Sequence, residues 1–158
     1  MKKPILLLCF MPLSLTAFCQ TLTINDLKEL LKGGNANKIL TEKSFVKKEV
    51  KHRHKKKQIF YVANGNTPHA ESIELGAEVT LSDGTVLRDI NYTSADTNYV
   101  NRIMKQINMA GIELTGKKVE KSKTTYTFDN RKLSAQVVID KLNASGNTIQ
   151  FHPKPQQP

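Results

Sequence analysis

This sequence predicts an α+β fold made of two tandem units, each a helical segment followed by an antiparallel meander. Three observations carry that expectation. Helical stripes precede runs of Val, Ile, Tyr, Phe and Thr twice along the chain. The runs are short and broken by turn residues, as a meander requires. Short segments of the first half recur, in the same order, in the second.

The chain opens with "MKKPILLLCFMPLSLTAFCQ", in which Lys2 and Lys3 precede an apolar run over residues 5–15, broken by Pro12, and a small residue at Ala17. That order of charged, apolar and small regions reads as a secretory signal peptide. Cleavage is expected before Gln20, which makes residues 1–19 the signal and the mature chain periplasmic or secreted. The alternative is a lipid anchor on Cys19, although Phe18 is bulkier than lipobox processing accepts. The apolar run falls short of the roughly 20 residues a spanning helix needs, so no transmembrane segment is expected in the mature chain. Cleavage also removes Cys9 and Cys19, the only cysteines. Without them no disulfide, thiol nucleophile or thiolate metal site is available.

The elements follow in order. Thr23 is placed to cap a helix whose apolar stripe is Ile24, Leu27, Leu30 and Leu31, stopped by Gly33-Gly34. A helical turn over 36–42 brings Ile39 and Leu40 to the same core. Four strands are then expected at about 45–52, 58–63, 73–81 and 86–92. The last two are joined through Asp83-Gly84, a pair suited to a two-residue turn with positive φ. Ser94 is the expected cap of the next helix, with Val100, Ile103, Met104 and Ile107 on one stripe and Gly111 at its end. Three or four more strands, through 112–121, 124–129, 133–141 and 148–152, lead to the tail "PKPQQP". The predicted core comprises Leu27, Leu31, Phe45, Leu75, Val79, Leu81, Ile90, Val100, Ile103, Ile107, Val137, Ile139 and Phe151.

The internal matches are "LGAEVTL" at 75–81 with "LSAQVVI" at 133–139, "FYVAN" at 60–64 with "YTFDN" at 126–130, and Ile90-x-Tyr92 with Ile149-x-Phe151. They divide the mature chain into a first unit at 20–93, a second at 94–152 and a Pro-rich tail at 153–158. A duplicated helix-plus-meander unit in an exported chain of this length resembles the beta-lactamase inhibitory protein fold, and other small exported proteins of unknown function share the same design. The resemblance implies a sheet face that binds a protein partner rather than a catalyst. The chain has no Trp and four Tyr, so none of that family's inhibitory residues carries over.

The formal charge is +10. Loss of Lys2 and Lys3 leaves 22 basic against 14 acidic residues. In an exported protein such a charge points to anionic glycans, lipid headgroups or acidic proteins, and no nucleic-acid partner is expected. The charge is densest in "KKEVKHRHKKKQ" at 47–58, an elongated hairpin tip whose counterpart in the second half is the shorter "EKSK". A solvated loop is the ordinary reading of such a run. The functional reading is a polyanion-docking site made of Lys51, Arg53, Lys55, Lys56 and Lys57.

His52-x-His54 offers two imidazoles on one side of a strand, but zinc needs three or four ligands. His69, the next histidine, belongs to a loop at the other end of a six-residue strand, roughly 20 Å away. No metal and no cofactor are expected. Catalytic motifs are missing too: the sequence contains neither G-x-S-x-G nor H-E-x-x-H, and no glycine-rich phosphate loop. Asp83, Asp89, Asp96 and Asp129 are candidates in isolation, but Asp83 has a turn role and Asp96 falls in the first turn of a helix, and His152, Ser145 and Asp140 form a triad only on paper. The insertion "NGNTPHAES" at 64–72 reads as a surface loop.

The expectation is therefore an exported, non-enzymatic binding protein with a protein partner, possibly inhibitor-like or immunity-like. An envelope polyanion binder working through 51–57 is the alternative, and a small periplasmic hydrolase is held in reserve.

Overall fold

The computed structural model describes residues 22–53, 56–63, 71–143 and 146–154. Its helices are α1 (Ile24–Leu31), α2 (Ala36–Glu42) and α3 (Thr97–Met109). Its strands are β1 (Phe45–Arg53), β2 (Lys56–Ala63), β3 (Glu71–Thr80), β4 (Val86–Ser94), β5 (Glu113–Glu120), β6 (Lys123–Asp129), β7 (Leu133–Asp140) and β8 (Thr148–Pro153). The fold is α+β. All eight strands join one antiparallel sheet in the order β1-β2-β3-β4-β8-β7-β6-β5. Among the described residues no helix is long and apolar enough to cross a membrane.

Local chemistry explains where the helices begin and end. Thr23 Oγ1 accepts from the N–H of Asp26 at 3.2 Å, and the Asp26 carboxylate accepts from the N–H of Thr23 at 2.6 Å, a reciprocal cap that satisfies two orphan donors of α1. Gly33 ends that helix at φ +75°. Asn35 caps α2 by accepting from the N–H of Lys38. The cap of α3 is Asp96, not the expected Ser94. Asp96 Oδ1 accepts from the N–H of Tyr99 at 2.9 Å, while Ser94 Oγ accepts from Asp96's own N–H one step upstream. A carboxylate at the helix start also favours the dipole, which explains the preference.

The turn between β3 and β4 also differs from expectation. Only Gly84 takes a positive φ, at +79°. The N–H of Leu81 donates to Thr85 O and that of Gly84 to Leu81 O. Ser82, Asp83 and Gly84 thus form a three-residue loop with glycine in the left-handed position. Asp83 contributes through its side chain instead, accepting from the N–H of Thr85 at 3.0 Å.

One hydrophobic cluster unites the three helices with the sheet. Leu22, Leu27, Leu30, Leu40, Tyr99, Val100, Ile103 and Ile107 pack with Tyr61, Ile73, Leu75, Ile90, Tyr92, Phe128, Val137, Ile149 and Phe151. Of the predicted core, Val79 and Ile139 are only half-buried. Val79 lies just beyond a bulge between Leu75 and Glu78 that breaks the alternation of β3. Ile139 stands opposite Thr124, in a row that runs out to exposed Val119 on the edge strand.

The centre of the sheet is the β4–β8 pair, where Ile90 faces Phe151, Asn91 faces Gln150 and Tyr92 faces Ile149. Outward from it, Tyr92 is followed by Ile73 and Tyr61, and Phe151 by Ala135 and Phe128. Leu75 faces Ile90, and Val137 faces Ile149. Counted this way, the match of residues 75–81 with 133–139 runs four residues out of step with the ladders.

Candidate functional site

Successive side chains on a strand point to opposite faces. Strands that bury Leu75, Ile90 and Phe151 under the helices therefore turn Glu74, Gly76, Asp89, Asn91, Gln150 and His152 to the other face. There these residues, with Gln58 of β2, line a depression of about 210 Å³. The ladders align them in two rows. Gln58, Gly76, Asp89, His152 and Ser134 stand side by side across five strands, and Phe60, Glu74, Asn91, Gln150 and Gln136 form the next row.

Two features define the depression. Asp89 and His152 are cross-strand neighbours, with Nδ1 of the ring 3.1 Å from Oδ1 of the carboxylate. Gly76 faces Asp89 from the other side, and a Cβ there would come within 2.7 Å of Asp89 Cβ. Glycine is what lets the carboxylate side chain lie across β3. Deeper in, Asn91 Oδ1 is buried without a hydrogen-bond partner. Carboxylate and amide acceptors thus stand beside the amides of Gln58 and Gln150, an arrangement that can pair with polar groups of a surface laid against it. The hydroxyl of Ser134 is directed to the main-chain carbonyl of His152, at 3.5 Å, rather than to its ring.

The basic hairpin is where the sequence puts it. Lys51, His52 and Arg53 pair through the backbone with Gln58, Lys57 and Lys56, and Arg53–Lys56 is the last rung. Lys57 is exposed. His54 and Lys55 lie outside the described residues, as does His69, together with most of the 64–72 insertion. Among the described residues no group of three or more His, Cys, Asp and Glu side chains is placed to hold a metal ion.

The paper triad does not assemble from its described members. Asp140 closes β7 opposite Lys123, whereas His152 pairs with Ser134, six residues or roughly 20 Å back along β7. Ser145 lies outside the described residues. Asp140 has structural work instead. Burial opposes its ionisation, but donors from the N–H groups of Leu142 and Asn143, the Ser122 hydroxyl and the Lys123 ammonium outweigh that effect and hold its carboxyl below the ordinary range. Asp83 is likewise lowered, first by Lys132, whose ammonium is 2.6 Å away, and then by Thr85. Asp129 is paired with Lys154 at 2.5 Å.

A second polar cluster lies inside the core. Tyr92 and Tyr99 meet edge to face with centroids 5.6 Å apart, next to buried Glu71 and Ser94. The Tyr99 hydroxyl donates to the carbonyl of Leu22. Burial, reinforced by the nearby Glu71 carboxylate, pushes both phenols well above their ordinary range, so both stay neutral.

Glu74, Gly76, Asn91 and Gln150 were not singled out from sequence. The signal was present as period-two polar residues in "ELG" at 74–76, "DIN" at 89–91 and "QFH" at 150–152. Uniting them required knowing that β4 pairs with β8. No protein-family model, curated protein or solved structure matches this chain.

Proposed function

We propose that this chain is an exported, non-enzymatic binding protein that holds a protein partner on the helix-free face of its sheet. The observation that carries the reading is the asymmetry of the two faces. One is filled by α1, α2 and α3, while the other presents the polar rows around Asp89–His152 and Asn91–Gln150 with no element of the described chain packed on them. Eight strands at about 4.8 Å spacing span roughly 35 Å. That is wide enough for the roughly 800 Å² per partner of an ordinary protein interface.

Two further features support the proposal. Strand order and the Ile90–Phe151 and Tyr92–Ile149 pairings are those expected of two like units joined through their last strands, which agrees with a duplication of the inhibitory-protein type. Leu22 is fully buried and tied to Tyr99, so cleavage before Gln20 leaves the core intact.

A second reading, docking of phosphorylated glycolipid or acidic glycan, is favoured by the position of the basic run at the last rungs of the β1–β2 hairpin. Salt separates the two, because ions screen charge docking more than a packed interface. Envelope extract should be passed over mature protein at low and high salt, alongside a Gln150→Arg variant and a Lys55→Glu, Lys56→Glu, Lys57→Glu variant. A partner kept at high salt and lost with Gln150→Arg supports the face. Retention on anionic vesicles that only the triple reversal abolishes, by about two orders of magnitude at about 1 kcal/mol per charge, establishes the hairpin instead.

A further inference from the structure

The two halves of the sheet are not equally covered. In the first half α1 packs on β4 and α2 on β1, and β1 buries Phe45 to 3% exposure. In the second half α3 works alone, on β7, β4 and β5. All of β5 is exposed except Gly116, which is half-buried. Its helix-side residues are identified by their partners: Leu114 faces buried Phe128, Lys117 faces Tyr126 and Val119 faces buried Thr124. Leu114 is 51% exposed and Val119 65%. Between Leu114 and α3 runs an apolar groove of about 160 Å³, lined by Met104, Lys105, Asn108, Leu114, Tyr126 and Phe128. Met109, 86% exposed, closes the last turn of α3 nearby. Single exposed apolar residues are ordinary, whereas an apolar groove beside an uncovered edge strand marks an interaction surface.

The rim of the groove is cationic. Among the described residues no carboxylate pairs with Lys105 or Lys117. Lys117 lies over the Tyr126 ring at 5.5 Å, and Glu120 is held by Lys118 at 2.5 Å. A second copy of this chain would bring a further formal charge of +10 to an already positive surface. An acidic partner complements it. A groove flanked by an exposed helix accepts another helix at the usual 8–10 Å axial separation.

We propose that the groove between α3 and β5–β6 seats an acidic amphipathic helix of a partner protein. Its apolar stripe lies on Met104, Leu114 and Tyr126, and its carboxylates reach toward Lys105 and Lys117. This surface is on the helix side of the sheet and does not depend on the polar face being a binding site.

The test uses labelled mature protein and a synthetic amphipathic helix of about four turns, with leucines on one stripe and glutamates elsewhere, plus the same peptide with lysines replacing the glutamates. Saturable amide shifts at residues of α3, β5 and β6 are expected for the acidic peptide, with the basic one at least about tenfold weaker. Leu114→Asp with Val119→Asp should weaken the acidic peptide by about tenfold or more, since each removes exposed apolar area that binding buries. Gln136→Asp, on the polar face, should leave it unchanged. Failure of the acidic peptide to saturate at millimolar concentration, equal binding of the basic peptide, or shifts confined to the polar face would each overturn the proposal. So would sedimentation showing that Leu114 and Val119 join two copies of this chain. Because both substituted residues are exposed, circular dichroism of the variants should match wild type, and Gln150→Arg separately tests the polar face.

Discussion

The phenol of Tyr99 donates its proton to the main-chain carbonyl of Leu22, 77 positions away in sequence. The bond pins the residue just ahead of the α1 cap to the first turn of α3. Tyr99 also packs edge to face on Tyr92 of the central strand. One side chain thus connects the start of α1, the first turn of α3 and the seam of the sheet.

Tyr99→Phe keeps the ring and its contact with Tyr92 but leaves the Leu22 carbonyl buried without its donor. The expected loss is about 1–3 kcal/mol in denaturant unfolding. Amide exchange should accelerate first in α1, whose Thr23–Asp26 cap follows directly on Leu22. Uniform acceleration across all three helices would show that the bond has no local role.

Gly76 and Gly84 separate two kinds of glycine. At Gly76 a Cβ would meet Asp89 Cβ at 2.7 Å, and at Gly84 nothing lies within 4 Å but φ is +79°. Gly76→Ala should cost about 1–3 kcal/mol by overpacking and displace Asp89 from His152, visible in the His152 ring resonances. Gly84→Ala should cost about 1–2 kcal/mol through backbone strain alone and leave those resonances unmoved. Equal effects on the ring would refute the idea that Gly76 makes room for the pair.

Asp140 makes stability depend on acid. Its folded carboxyl titrates below the ordinary 3.8. The unfolded chain therefore takes up the proton first as pH falls. The contribution of the charge is complete above about pH 4 to 5 and is lost as pH drops through the folded value. Asp140→Asn keeps an oxygen for the Leu142 and Asn143 amides but removes the charge. The variant should show a lower urea midpoint than wild type at about pH 6, and the gap should narrow as pH falls below the ordinary carboxylate range. A gap that persists in acid would assign the loss to hydrogen-bond geometry rather than ionisation.

Much of this architecture was legible because local rules decide it. The Thr23 cap, the glycine stops at 33 and 111 and the alternating strands depend on neighbours a few residues away. The cap of α3 went to Asp96 because two candidate acceptors stand two residues apart and only one carries a charge. The pairing of β4 with β8 was not legible, since it joins strands some 60 residues apart with no turn between them. Asp89 and His152 became partners only through that pairing. Val79 and Ile139 show the same limit: a bulge and an uncovered edge are tertiary facts, and each has the alternation of a core residue.

The seam also determines how the protein comes apart. Ile149 is fully buried, faces Tyr92 across the central pair and faces Val137 on its other side, so its side chain belongs to both halves. Ser94 at the end of β4 donates its N–H to Asn147 O, and Asn147 in turn donates to Thr97 Oγ1 of α3. With the core continuous across this line, neither half has an apolar surface it can cover alone. Ile149→Ala should cost about 2–5 kcal/mol. That is a large part of the 5–15 kcal/mol available to an ordinary domain. Unfolding should remain a single transition by both fluorescence and far-ultraviolet signals, with amide protection falling by the same factor in β2–β3 and in β6–β7. If protection fell only in β6–β7 while β2–β3 kept its wild-type value, the halves would be independent folding units and the seam a mere contact between them.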